Sequence, residues 1–327
     1  MHPNFKPMLS AKDFALEHLT YPVLVSDKYD GYRNCQLPDL GGVSRKLEPI
    51  PNLKLREYFN RPILAGLDGE LSFENPTQEK ARGKIGAVWS TIDGPGVEGG
   101  AFKGSTKDHP DYGKIIFYVF DDFFRPDAGK FDRYSNAAKR LLELNDPHIK
   151  LVEQKLCWNP QQVRDAFEDA ERRGFEGVMV ADLDGRYKFG RESVRYDRAK
   201  KKLGILEIPE MLLGKVKSFV DEEAEIVGTY EEMENQNEQT RDALGNAKRS
   251  SHKANKVGKN RLGGFILRSP KYPKDFRCSA STIPHDERER LWAIRDTLTG
   301  KQLTYSFQPS GMDLVPQFTT FIEIRED

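Results

Sequence analysis

The stretch YPVLVSDKYDGYRNCQL, residues 21–37, decides how the rest of the chain is read. An apolar run, Val23-Leu24-Val25, leads to Lys28, which stands between Asp27 and Asp30. Gly31 follows, and Arg33 comes five positions after the lysine. YPVLVSDK and YRNCQL have the composition of strands, joined around a tight Asp-Gly turn. Taken alone, K-x-D-G between strands reads as a hairpin turn, with Asp-Gly supplying the turn geometry. The alternative is a lysine kept at a strand end for its chemistry.

The chain around it has 327 residues, more than one hydrophobic core serves, so two domains are expected. An apolar content of 37% suits packed cores and not general disorder. No apolar stretch approaches the roughly 18 residues needed to cross a bilayer. MHPNFKPMLSAKDF has no apolar run behind a basic start. Neither a membrane partner nor a secretory leader is therefore expected. Cys35, Cys157 and Cys278 are scattered and fit neither a disulfide framework nor a zinc pattern. A reducing compartment follows: the cytoplasm, or a host cell's cytoplasm if the chain is viral. A monomer is the default expectation. Formal net charge is zero, but its distribution is uneven. Residues 221–238 contain acids and no Lys or Arg, whereas residues 241–261 contain seven Lys or Arg and one acid. A neutral chain can thus present a local basic surface to phosphates.

Hydrophobic patterning places a short amphipathic helix at AKDFALEHL. Strands are expected at ILAGLDGELSF, KIIFYVFDDFF, GFEGVMVAD, EMLLGKVKSF and EEAEIVGTYEE, and near the C-terminus at GGFILRSP, LTYSFQPS and TTFIEIRE. RYSNAAKRLLELN and NPQQVRDAFEDAERRG read as helices, the second ending at a glycine cap, Gly174. The class is α+β: antiparallel sheets with flanking helices over residues 1–219, then a small β-barrel over 220–327. The polar stretch 233–261 lacks an apolar period and is expected to be a long loop or an arm that orders conditionally.

Five further segments place charged or aromatic residues in strands or at their ends: VSRKLEPI, GLDGELSF, IIFYVFDDF, GFEGVMV and LLGKVKSF. On a strand, Lys215 and Lys217 share one face while Leu212 and Val216 take the other; Tyr118 and Phe120 also share a face. In this order and spacing, with GRYKFGRES (185–193) and NAKRSSHKANKVGK (246–259), the segments resemble the nucleotidyltransferase signature of small two-domain ATP-dependent DNA ligases, from about residue 8 onward.

That resemblance implies an N-terminal nucleotidyltransferase domain, a C-terminal OB-fold, and sealing of 3′-hydroxyl/5′-phosphate nicks in duplex DNA with ATP and Mg²⁺. It makes Lys28 the nucleophile that captures AMP as a phosphoramidate. A free lysine is only about one part in a thousand neutral near pH 7.4, and neighbouring cations raise that fraction. Lys215 and Lys217 are the expected source of that field, and would also neutralise the α-phosphate. Asp30 orients the lysine or the leaving group. Arg33 bonds the ribose or a DNA phosphate, Glu70 contacts the ribose, Phe120 stacks on adenine, and Glu176 associates with the metal. Arg45 binds the nick 5′-phosphate, which its guanidinium fork suits. Residues 233–261 occupy the place of a latch that closes on DNA, with Lys248, Arg249, Lys253 and Lys256 on phosphates. Residues 195–211 are longer than the corresponding stretch. Gln317 stands where relatives carry an arginine that orients pyrophosphate, and Arg325 is the nearby candidate to compensate. The same K-x-D-G-x-R pattern also occurs in RNA ligases and mRNA-capping guanylyltransferases, and a non-catalytic nick-binding relative is a further alternative.

Overall fold

The computed structural model describes residues 5–11, 14–77, 85–86, 88–89, 110–190, 212–241, 247–250, 253, 255–309 and 314–325. The stretch 195–211 therefore lies outside the described residues. The chain divides into two compact units, residues 1–217 and 218–327.

Among its described residues the first unit holds β1 (Val23–Asp27), β2 (Tyr32–Leu37), β3 (Gly41–Val43), α1 (Leu53–Phe59), β4 (Leu67–Phe73), β5 (Ile115–Asp122), α2 (Lys130–Leu144), β6 (Ile149–Leu151), β7 (Gln154–Cys157), α3 (Pro160–Arg172), β8 (Gly177–Asp182) and β9 (Leu213–Lys217). They form two sheets, in the orders β3-β2-β4-β5-β6 and β7-β1-β8-β9. The hairpin expected at 21–37 is absent, because β1 and β2 belong to different sheets. Both edges of β1 are taken, by β7 and by β8. Lys28-Tyr29-Asp30-Gly31 is instead the passage from one sheet to the other. Gly31 is required there by proximity: a Cβ would sit 2.2 Å from the Leu71 carbonyl oxygen on β4.

Strand alternation then sorts the five-stranded sheet into two faces. Leu67, Leu71, Phe73, Ile115, Phe117 and Val119 pack with Leu55 and Phe59 of α1 and Ala137 of α2. Arg33, Cys35, Asp68, Glu70, Tyr118 and Phe120 fall on the opposite face. In the other sheet, Val23, Val25, Val178 and Val180 bury against Val163 and Ala170 of α3. Asn159 caps α3 by accepting from the Gln162 N–H at 3.0 Å, and Pro160 opens it. The helix stops where the sequence places its stop: Gly174 follows with φ +87°, open to glycine and strained for other residues. The helix expected at AKDFALEHL is not seen among the described residues. A single 3₁₀ turn, Leu16–His18, stands there, with no side-chain cap and no buried residue to reward a longer one.

The second unit holds β10 (Val220–Asn235), β11 (Gln239–Arg241), β12 (Ala247–Arg249), β13 (Lys256–Arg268), β14 (Phe276–Ser279), α4 (His285–Ala293), β15 (Gln302–Gln308) and β16 (Gln317–Ile324). β10, β13, β14, β16 and β15 pair in turn, β15 returns to β10, and β14 meets β16 through one parallel pair, Ser279↔Thr320. Ile226, Phe265, Leu267, Cys278, Leu303 and Tyr305 fill the interior.

The stretch 233–261 is not a loop in its described part. β10 and β13 stay paired out to Asn235↔Lys256, and β11 pairs β12 through Gln239↔Arg249. This ribbon is held by backbone ladders and amide side chains, which leave no apolar period to read. Asn235 and Asn237 both donate to the Ser250 carbonyl, at 2.8 and 3.0 Å. Near its root, Glu232 collects Lys259 at 3.1 Å, Arg261 at 2.8 Å and Arg288 of α4. No helix among the described residues is long and apolar enough to cross a membrane.

Candidate active site

Lys28 leaves the end of β1 with its backbone N–H donating to the Gly177 carbonyl at 2.8 Å. Its neighbour Asp27 pairs with Val178, so β1 and β8 carry Lys28 and Glu176 to the same end of the sheet. The side-chain ammonium of Lys28 donates to Glu176 Oε2. Lys217, paired with Gly177 on β9, donates to the same oxygen at 2.8 Å. Gly177 makes this approach possible. Its φ is +134°, and a Cβ would lie 2.1 Å from the Val216 carbonyl oxygen.

One carboxylate thus bridges two ammonium groups. Burial alone would raise Glu176, but Lys28 and Lys217 outweigh it and hold the carboxyl well below its usual range. Lys217 is lowered, first by burial and then by the charge of Lys28, with Lys215 adding to the effect. Beside the cations expected around Lys28, the structure places a carboxylate. Glu176 stands between the lysines, because two ammonium groups this deep need a counter-charge. Lys215 is exposed on the same strand, paired with Met179.

The face of the five-stranded sheet continues the site. Arg33 lies opposite Glu70 in the β2–β4 ladder. Its Nε donates to Asp68 Oδ1 at 2.6 Å, its Nη2 to Asp68 Oδ2, and its guanidinium lies 4.6 Å from the centre of the Phe120 ring. One face of the ring assigned to adenine is thus covered by Arg33. Burial pushes the Glu70 carboxyl up to about 7; Arg33 and Lys28 pull it down, and Asp30 and Asp68 push it further up. The Asp30 carbonyl accepts from Ser72 Oγ at 2.8 Å, which ties the K-x-D-G passage to β4.

The structure therefore brings Lys28, Glu176 and Lys217 together, and gathers Arg33, Glu70 and Phe120 on one sheet face. Arg45 is exposed on the turn after β3. Of the four ribbon cations, Arg249 donates to the Asn237 carbonyl at 2.6 Å, Lys253 is exposed and Lys256 is half-buried. Lys248 is described by its backbone pairing with Thr240. Gln317 is exposed at the start of β16, and Arg325 pairs with Glu223 at 2.9 Å. Among the described residues no group of three or more His, Cys, Asp or Glu is placed to hold a metal ion.

Sequence reasoning undervalued Asp68. Buried, it accepts from Arg33, from Tyr187 Oη at 2.6 Å and from Cys35 Sγ at 3.1 Å. Its even spacing from Glu70 was the available signal, since both sit on one strand face. Asp27 was read only as a neighbour of Lys28, and Arg173 was not singled out. They form a bidentate pair with both N···O distances at 2.7 Å.

Two sheets meeting at a half-buried lysine, followed by a second, mainly β unit, define the chain's class. It has the fold of the small ATP-dependent DNA ligases. Among solved structures, it is similar to the Chlorella virus DNA ligase–adenylate, with 22% identity, 99% of each chain covered and a TM-score of 0.50. It is also similar to a Lig E DNA ligase, with 16% identity, 98% of this chain and 99% of that one covered, and a TM-score of 0.63. No protein-family model and no curated protein matches the chain.

Proposed function

We propose that this chain is an ATP-dependent DNA ligase that seals 3′-hydroxyl/5′-phosphate nicks in duplex DNA. The observation that carries the reading is the Lys28–Glu176–Lys217 bridge, adjoining the Arg33, Glu70 and Phe120 face where the two sheets meet. In this reading the first unit is the nucleotidyltransferase domain. The second is an OB-fold whose ribbon serves as the latch, presenting Lys248, Arg249, Lys253 and Lys256 to DNA phosphates, while Arg45 takes the 5′-phosphate.

The reaction has three displacements. Lys28 Nζ attacks the α-phosphorus of ATP, the bond to the β-phosphate oxygen breaks, pyrophosphate leaves with the electron pair, and the surplus amine proton passes to solvent. The adenylate then moves to the DNA 5′-phosphate, and the nitrogen released takes a proton back. Finally the 3′-hydroxyl attacks the activated 5′-phosphate, its proton passes to solvent, the phosphoanhydride bond breaks, and AMP leaves with the electron pair. Positioning and charge neutralisation dominate such chemistry. Lys217 and Lys215 neutralise the α-phosphate, Arg33 and Glu70 hold the sugar, Phe120 supports the base, and Asp30 orients the lysine. Glu176 would hold Mg²⁺, a hard ion that one or two carboxylates can serve, and the ion would supply neutralisation of phosphate charge when bound. Lys28 and Lys217 hold the Glu176 carboxyl below its usual range, so it stays charged near neutral pH as their counter-ion.

Incubation with labelled ATP or GTP and Mg²⁺, followed by denaturing electrophoresis, tests the reading. An AMP adduct that is absent in Lys28→Ala, together with sealing of a nicked duplex, is the expected result. A GMP adduct would point to a capping enzyme. No adduct, with nick binding retained, would point to a non-catalytic relative.

A further inference from the structure

The Asp27–Arg173 pair has a geometry that surface ion pairs rarely reach. Arg173 caps the C-terminus of α3, its backbone N–H donating to the Asp169 carbonyl at 3.1 Å. Its side chain uses the whole guanidinium fork. Nη1 and Nη2 each reach an Asp27 oxygen at 2.7 Å, and Nε reaches Asp169 Oδ2 at 2.9 Å. The guanidinium also lies 5.0 Å from the centre of the Phe175 ring. Phe175 meets Tyr29 edge-on at 5.2 Å, and Tyr29 meets Tyr118 at 4.4 Å.

The sequence positions give this arrangement its meaning. Asp27 directly precedes Lys28, and Arg173 comes three residues before Glu176. Between helix and strand, Gly174 and Gly177 both take positive φ, +87° and +134°. Those glycines let the turn carrying Glu176 adopt its path, but with no Cβ they add no packing to fix it. Exposed ion pairs add little stability, and the side chains of Arg173 and Asp27 are 43% and 22% exposed. A doubly bonded fork does fix relative position. It ties the residue beside the nucleophile to the rigid end of α3.

We propose that Arg173 and Asp27 are positioning residues, whose bidentate pair sets the Lys28 amine against Glu176 for adenylate capture. The assignment rests on the ligase reading of the site. It adds one determinant, Arg173, outside the segments that carry the resemblance, and Arg173 touches none of the groups proposed to meet ATP.

The experiment uses the full chain and two readouts. The first is single-turnover formation of the AMP adduct across ATP concentrations, in Arg173→Met, Asp27→Asn and the exchange Asp27→Arg/Arg173→Asp. A fall in maximal rate on the order of tenfold to a hundredfold is expected for the single variants, with partial recovery in the exchange. The concentration of ATP at half-maximal rate should stay within about twofold, because no group proposed to meet ATP is removed. Arg172→Met is the control, its neighbour being 73% exposed at the same helix end, and it should behave as the parent. Folding of each variant is checked by thermal melting. Should Arg173→Met not fold, Asp27→Asn and the exchange decide.

The second readout needs no nucleotide: trace acetylation of Lys28 at one fixed pH, followed by mass spectrometry. An amine no longer held against a carboxylate acylates faster, so Arg173→Met and Asp27→Asn should both label faster than the parent, as Glu176→Gln should. Parent-like adduct rates or parent-like labelling in the folded single variants overturns the positioning role. Absence of adduct in the parent overturns the ligase reading instead, and the acetylation result still decides whether the pair positions Lys28.

Discussion

Glu70 carries a measurable signature of its setting. Its carboxyl is pushed up to about 7 by burial, against 4.5 ordinarily, so the folded protein holds a proton that the unfolded chain releases. Where the unfolded state binds fewer protons, stability falls as pH rises. The cost should accumulate between about pH 4.5 and 7 and then level off, on the order of 3 kcal/mol. Glu70→Gln should flatten that slope, and thermal melting at pH 5 and pH 8 would show it; an unchanged slope would remove Glu70 as its source. Glu176 works in the opposite sense. Its carboxyl lies below the ordinary value, so its contribution is present above pH 4.5 and is lost as pH falls toward its folded value. Lys28, Glu176 and Lys217 were legible because each stands in a segment that resembles the ligase signature. That one carboxylate bridges both lysines was not, since no spacing reveals which of several charges meet across two sheets. The Arg33 clamp on Asp68 was hidden for the same reason, the partners being 35 positions apart.

At the scale of elements, the strands with strong apolar alternation were readable and their partners were not. GLDGELSF and IIFYVFDDF appear as β4 and β5, whereas the two strands flanking K-x-D-G lie in separate sheets. Pairing is decided by which edges are already taken, and a local turn signal carries no such information. Gly177 marks where this matters most. Gly177→Ala would place a Cβ 2.1 Å from the Val216 carbonyl oxygen at positive φ, so β8 and β9 must separate or Glu176 must move. A loss of roughly 1–3 kcal/mol and a large drop in adduct yield are expected. Denaturant titration and the labelling assay check both, and retention of both would refute the close approach. In the ribbon, Asn237→Ala removes donors to Ser250 and Asn235. Amide exchange should accelerate across 247–250 while β15 keeps its protection. Slow exchange in both would mean that the strand ladder alone orders the ribbon.

On the scale of the whole molecule, two units of different architecture follow one another, with the division after Lys217. Their existence could be read from length and from the run of short strands beyond residue 220. The strand character of 233–261 could not, because a solvated ribbon needs no apolar face. Deleting 236–258 should lower the salt slope of binding to nicked duplex by roughly 0.9 for each DNA phosphate that the ribbon would otherwise neutralise. An unchanged slope would exclude the ribbon from the DNA surface. Gln317→Arg should lower the ATP concentration needed for adduct formation several-fold, by supplying a charge for pyrophosphate; no change would leave Gln317 without that role. The passage at Lys28–Gly31 bears on redesign. The amine hangs from one sheet, while the wall proposed to face sugar and base belongs to another. Nucleotide preference is thus open to selection on β2, β4 and β5 in libraries that leave β1, β8 and β9 untouched, so altered substrate choice need not start by disabling the reactive group.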